Sequence, residues 1–258
     1  MMMGSSGLNL TSSRIDPVLR RLDAHHPIAE SREPLIRALS GSIDRHAQGT
    51  ELFAEGQLGA KPVFVVKGWA ATQRFLPDGR RQIFRLVVPG DIIGLEAGRG
   101  PPGWAVVALT ALETTSAVLV VDAAISGATR VARAIAMGVR HEERLLLDQL
   151  VRIGRFSGQE RMAHLLLELR DRLEVVGLGD ARRFPLPLTQ DAIADTLGLS
   201  AIHVNRVFKA LRQDGLIELR AGTVTLQRAA QVEELAGRNH GRGQGDLQAG
   251  TDRELAVA

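Results

Sequence analysis

The chain contains no cysteine. That excludes disulfides, thiolate metal sites, cysteine-held iron–sulfur clusters and a cysteine nucleophile. It also has no long apolar run. The nearest approach, residues 105–121, is broken by Thr110, Glu113, Thr114, Thr115 and Ser116, and falls short of the roughly 18 uninterrupted residues of a membrane-spanning helix. The N-terminal stretch MMMGSSGLNLTSSR lacks the apolar segment of a secretory signal. Histidine clusters are missing too. His25, His26, His46, His141, His164, His203 and His240 are scattered, no His-x-His occurs, and none lies between 50 and 122. A cupin-type metal enzyme has no ligand set here, and a Ser-His-Asp hydrolase has no nucleophile motif. These absences describe a cytoplasmic protein with no membrane segment and no enzymatic activity.

What is present is ordinary for a globular protein. The 258 residues are 45% hydrophobic and 24% charged, with a net charge of +3. That length fits one large domain or two modest ones, and the mild basic excess permits a nucleic-acid partner without arguing for one. Residues 1–14 read as disordered, and 15–40 as short helical patterns punctuated by Pro17, Pro27 and Pro34. From about 43 to 122, short apolar runs are broken by turn signals, Pro77-Asp78-Gly79 and Pro89-Gly90-Asp91. Such spacing predicts a β-barrel or β-sandwich.

Beyond 123 the period becomes helical. A proline-free stretch ending near 154 keeps Ile135, Val139, Leu146, Leu150 and Ile153 close to one face, with Glu142 and Gln149 as blemishes. The apolar seam either packs on its own domain or pairs with a second chain; spacing alone leaves both open. A second helix, about 157–175, points Met162, Leu165, Leu166, Leu169 and Leu173 inward. GLGDARRFPLP follows as a loop, and 237–258 is a polar, Gly-rich tail.

Residues 188–213, LTQDAIADTLGLSAIHVNRVFKALRQ, carry the most specific pattern. Thr189 is a predicted N-cap for a short helix that buries Ile193, Ala194 and Leu197. Gly198 ends that helix and Ser200 caps the next. The small Ala194 lets the two helices cross closely. DGLIELRAGTVTLQ then reads as two strands joined by Arg220-Ala221-Gly222. A helix-turn-helix followed by a hairpin is a winged helix. On its second helix, Val204, Val207, Phe208 and Leu211 form the inward stripe, leaving Ile202, Arg206, Lys209 and Gln213 outward, with His203 and Asn205 on the flanks. In a major groove, Arg206 suits guanine and Asn205 suits adenine. Lys209 and Arg212 suit phosphates.

With these motifs in hand, the chain resembles the Crp/Fnr family of bacterial transcription regulators from about 35 to 230. The segments that carry the likeness are VFVVKGWA, LPDGRRQIFRLVVPGDIIG and LTQDAIADTLGLSAIHVNRVFKALRQDGLIEL. The resemblance implies an α+β chain. Its parts are an N-terminal cyclic-nucleotide-binding-like jelly roll (double-stranded β-helix) over 15–125, a dimerisation helix over 126–155, a winged helix-turn-helix over 156–236 and a disordered tail over 237–258. It implies a homodimer on an inverted-repeat operator in double-stranded DNA, with RNA polymerase a further partner, and it favours the dimer reading of the long helix. The residues assigned to DNA are Thr189, Gln190, Ser200, Ala201, Ile202, His203, Asn205, Arg206, Lys209 and Arg212. A signal-transduction module that binds a ligand or a protein without specific DNA binding is the alternative.

Two departures from the family pattern matter. Members that bind cyclic AMP carry a Gly-Glu and then an Arg-Ser pair after the PGD-x-x-G segment. Here the sequence is GLEAGRGPPGWAVVALT, with Pro102-Gly103-Trp104 where the Arg-Ser pair would stand. Without that guanidinium a buried phosphate loses its charge-assisted contact. Gly94, Glu96, Arg99 and Trp104 are the residues expected to line an effector pocket, but cyclic AMP is not the expected occupant. In the recognition helix, Arg206 matches the family's terminal Arg, whereas Ile202 stands where relatives have a Glu. Isoleucine cannot accept from cytosine and can touch a thymine methyl, so a different operator is expected.

Overall fold

The computed structural model describes residues 5–39, 41, 43–58, 61–95, 103–126 and 129–238. The chain opens with α1 (Ser5–His25), a 3-10 turn (Ala29–Ser31) and α2 (Arg32–Leu39). α1 therefore extends into the stretch expected to be disordered. It also runs through Pro17, read above as a turn residue. Proline removes one helical hydrogen bond, but Ile15, Val18, Leu19 and Leu22 on the same helix are fully or nearly fully buried, and their packing outweighs that loss. Pro34 sits in the first turn of α2, where an amide has no helical partner anyway.

Among the described residues eight strands follow: β1 (Ile43–His46), β2 (Glu51–Phe53), β3 (Val63–Lys67), β4 (Ala70–Phe75), β5 (Arg81–Val87), β6 (Ile92–Ile93), β7 (Ala105–Ala108) and β8 (Leu112–Ser116). They form two antiparallel four-stranded sheets, ordered β1-β8-β3-β6 and β2-β7-β4-β5. Apart from the β4–β5 hairpin, consecutive strands sit in opposite sheets, which is the jelly-roll arrangement of the expected sandwich. Val65, Ala70, Val87, Ile93, Val106, Ala108 and Leu112 form an apolar cluster, with Phe53 and Val63 packed against it.

Helices then take over: α3 (Val118–Ser126), α4 (Arg130–Arg155) and α5 (Gly158–Val175). Thr129 caps α4 by accepting from the Ala132 amide. Between α4 and α5 the helical direction breaks at Ser157. Its hydroxyl accepts from the Glu160 amide while the Glu160 carboxylate accepts from the Ser157 amide, a capping box that starts a new helix. The expected loop after α5 contains a short strand, β9 (Arg183–Pro185). It pairs with the wing, a long-range contact that local sequence does not announce.

α6 (Gln190–Leu197), α7 (Ala201–Gln213), β10 (Ile217–Arg220), β11 (Thr223–Leu226) and α8 (Ala229–Leu235) complete the winged helix. One hydrophobic cluster joins it to the jelly roll: Trp69, Ala71, Ile83, Leu86 and Val88 pack with residues of α5, α6 and α7. Of the expected tail, residues 239–258 lie outside the described residues.

Candidate nucleic-acid interface

The local rules that build the helix-turn-helix are all visible. Thr189 Oγ1 accepts from the Ala192 amide and starts α6. α6 stops at Gly198, which adopts φ +64°, a left-handed conformation that glycine takes without a Cβ penalty. Ser200 Oγ accepts from the His203 amide and starts α7. Ile193, Ala194 and Leu197 of α6 and Val204, Val207, Phe208 and Leu211 of α7 are buried together.

Burying that stripe fixes what α7 shows to solvent. Ile202, His203, Asn205, Arg206, Lys209, Arg212 and Gln213 are exposed, and Ala201 is half-buried. Ile202, 69% exposed, is an isolated apolar residue within a polar face. The exposed residues differ in their commitments. Among the described residues, Arg206 and Lys209 form no hydrogen bond or ion pair. Asn205 Nδ2 donates to Gln190 Oε1 at 3.4 Å and ties the face to the start of α6. Arg212 Nε donates to the Phe208 carbonyl of its own helix. His203 faces the start of α5: a Cβ on Gly158 would lie 2.6 Å from His203 Nε2. This helix start is therefore part of its surroundings.

Sequence reasoning missed several residues around this interface. Arg183 and Arg220 are exposed on the sheet of the wing, with Arg182 exposed just before it, and Ala221 at the wing's tip takes φ +48°. An arginine at the tip of a hairpin following a helix-turn-helix was the available signal. Nothing local marked Arg81, Gln82, Gln149 or Arg161, which converge on α6 from other elements. Arg81 Nη2 pairs with Asp195 at 2.6 Å.

The expected effector pocket is placed only in part. Gly94 packs against the Phe53 ring, with Phe53 Cζ 3.0 Å from where a Cβ would sit. Trp104 is half-buried just before β7. Glu96 and Arg99 lie outside the described residues. Two of the scattered histidines do meet: the His25 and His141 ring centroids are 5.4 Å apart where α1 crosses α4. Burial and then neighbouring arginines lower both pKa values, His141 to about 4.

α4 presents a second uncovered face. Ala136, Arg140, Glu143, Leu147, Leu150 and Gly154 are all exposed and alternate at spacings of four and three, the heptad rhythm of a coiled-coil seam. The expected stripe is corrected here. Ile135 and Ile153 are half-buried, whereas Val139, Leu146 and Leu150 are exposed. Glu142 and Gln149, the apparent blemishes, turn inward to bond with their own chain. The predicted stripe straddled two faces, one packed against the chain's own core and one exposed.

Comparison with known proteins agrees with this geometry. Residues 44–136 match the cyclic nucleotide-binding domain family, and residues 160–235 match the Crp-like helix-turn-helix domain family. The nitrogen fixation regulation protein FixK of Bradyrhizobium diazoefficiens is 32% identical over 192 residues, spanning 74% of this chain and 80% of the relative. FixK of Rhizobium meliloti is 32% identical over 196 residues, spanning 75% and 86%. The structure of FixK2 from Bradyrhizobium japonicum superposes with a TM-score of 0.66 at 28% identity, covering 75% of this chain and 96% of that one.

Proposed function

The chain belongs to the Crp/Fnr family of transcription regulators, and on that footing we propose that it grips an inverted-repeat operator as a homodimer, with one α7 in each of two successive major grooves. It is a DNA-binding transcription regulator. The observation that carries the finer reading is the outward face of α7, where Arg206 and Lys209 are exposed and uncommitted beside a basic wing. In this reading Arg206 contacts a guanine edge, Ile202 a thymine methyl, and Asn205 and His203 the flanking bases. Lys209, Arg212, Ala201 and the starts of α6 and α7 at Thr189, Gln190 and Ser200 position the phosphates. The exposed heptad face of α4 pairs two chains, setting the two recognition helices about 34 Å apart. A cytoplasmic location follows from DNA as partner, and contact with RNA polymerase from regulation of transcription.

The test is selection from a random duplex pool by the purified protein. An inverted repeat with half-sites one helical turn apart is the expected product. Recovery of no sequence, with no mobility shift at low salt, would overturn the reading. For the sensor half, cyclic AMP is not the ligand in this proposal. The cluster inside the jelly roll is apolar, and Arg85 on β5 is engaged with Glu142 and Asp91. Saturable calorimetric binding of cyclic AMP at micromolar concentration would contradict that.

A further inference from the structure

The last turn of a helix leaves carbonyls without helical partners, and something else has to satisfy them. At the end of α6, three consecutive carbonyls are taken by three side chains from three other elements. Gln82 Nε2 on β5 donates to the Asp195 carbonyl at 2.8 Å. Gln149 Nε2 on α4 donates to the Thr196 carbonyl at 2.5 Å. Arg161 Nη1 on α5 donates to the Leu197 carbonyl at 2.9 Å and, through Nε, to the Phe156 carbonyl at 2.8 Å. Arg81 adds its ion pair with the Asp195 carboxylate. Only Arg161 belongs to the winged-helix half. Gln82 belongs to the jelly roll, and Gln149 to the helix with the exposed heptad seam.

Gln149 is also the end of a longer chain of bonds. Its Oε1 accepts from Arg152 Nη1 at 2.5 Å. Arg152 pairs with Glu168, Glu168 with Arg172 at 3.2 Å, and Arg172 with Asp91 at 2.5 Å. Asp91 is buried in the Pro89-Gly90-Asp91 turn of the jelly roll, where its carboxylate also accepts from the Val88 amide at 2.9 Å. The turn is packed tightly enough that a Cβ on Gly90 would sit 2.7 Å from the Pro17 carbonyl of α1. Every member from Asp91 to Gln149 is buried. The path thus links a tightly packed turn of the sensor half to the last turn of α6, the helix that precedes the recognition helix.

We propose that Gln82 and Gln149 are positioning residues for DNA binding, which clamp the end of α6 and thereby set the angle of α7 against the jelly roll and the α4 seam. The proposal rests on the DNA reading of α7. The clamp holds orientation rather than folding the winged helix, whose own core and caps remain without it.

The test uses the full-length Gln82→Ala/Gln149→Ala protein. Against a duplex selected by the unmodified chain, specific affinity is expected to fall about tenfold or more, while affinity for a scrambled duplex stays within about twofold. Because the chain has no cysteine, an Asp44→Cys/Ala230→Cys pair can be spin-labelled cleanly and diluted into unlabelled protein. The intrachain distance distribution should be single and narrow, and should broaden in the double variant. Gln149→Glu keeps the acceptor for Arg152 but loses the donor to Thr196, and should shift specific affinity and the distance distribution in the same direction as the double variant, by less, while far-ultraviolet dichroism stays unchanged. An unchanged specific-to-scrambled ratio with an unchanged distance distribution would overturn the clamp. An unmodified chain that selects no sequence would instead overturn the DNA reading, and the spin distances would still decide whether the clamp exists.

Discussion

Helices α4 and α7 each leave one face to solvent, and the two faces differ in kind. The α7 face is polar and basic around a single exposed isoleucine. Toward its C-terminal half the α4 face is apolar, with Leu147 57% and Leu150 64% exposed. Both faces repeat at helical spacing, so periodicity does not tell them apart. Their chemistry does. Uncommitted guanidinium and ammonium groups gain from phosphates and base edges. Exposed leucines on a heptad gain from another apolar surface. In the proposed reading, the same scaffold offers one face to a nucleic acid and one to a second copy of itself.

The sharpest way to break this contrast is to put charge on the apolar face. Leu147→Asp/Leu150→Asp is expected to dissociate the proposed dimer, because a buried unpaired carboxylate costs about 3–5 kcal/mol. Sedimentation velocity reads the mass, and operator binding should fall with it. A variant that sediments as the parent would show that the α4 face has no role in pairing. Next in size, Arg206→Ala should weaken operator binding by about 1–3 kcal/mol and relax one base preference. Competition titrations against single-base operator variants measure both, and unchanged affinity with unchanged preference would remove Arg206 from the interface. Third, Ile202→Glu should leave overall affinity close to the parent while moving preference at one base pair from thymine toward cytosine. Repeating the selection with that variant reads the change, and an identical selected sequence would refute the role given to Ile202.

The smallest expected effect is acid sensitivity of the inner side of α4. His164 Nδ1 accepts from Arg152 Nη2 at 2.9 Å. Burial, then the charge of Arg152, lower its pKa from 6.5 to about 4. A histidine held neutral in the fold is more readily protonated when unfolded, so the unfolded chain takes up protons first. Stability is full above about pH 6.5 and is lost as pH falls toward 4. Urea midpoints between pH 7.5 and 4.5 should decline, and His164→Asn should flatten that decline. An equal slope in the variant would place the sensitivity elsewhere, with His141 and its neighbour His25 the next groups to test.

The winged helix was legible because its signals are local. Thr189, Gly198 and Ser200 act within a few residues of where they stand, and the inward stripe of α7 was read residue for residue. The jelly roll was legible as strands and turns, but its sheet order was not, since β1 pairs with β8 across about seventy residues. Pro17 was misread because propensity cannot weigh a proline against the burial of Ile15, Val18 and Leu19. β9 was missed because its three residues are a strand only in the presence of β11.

Gln149 shows where the sequence alone stops. In the sequence it is a polar flaw in an apolar stripe. In the fold it donates to α6 and accepts from Arg152. The sequence by itself determined the helix-turn-helix, its caps and the residues of its outward face, because hydrogen-bonded caps and 3.6-residue periodicity are short-range. The tertiary structure alone decided which face of α4 is left free, and that the end of α6 is held from the jelly roll and the long helix. Those outcomes depend on groups between twelve and 114 residues apart, which meet only when the two halves share a core.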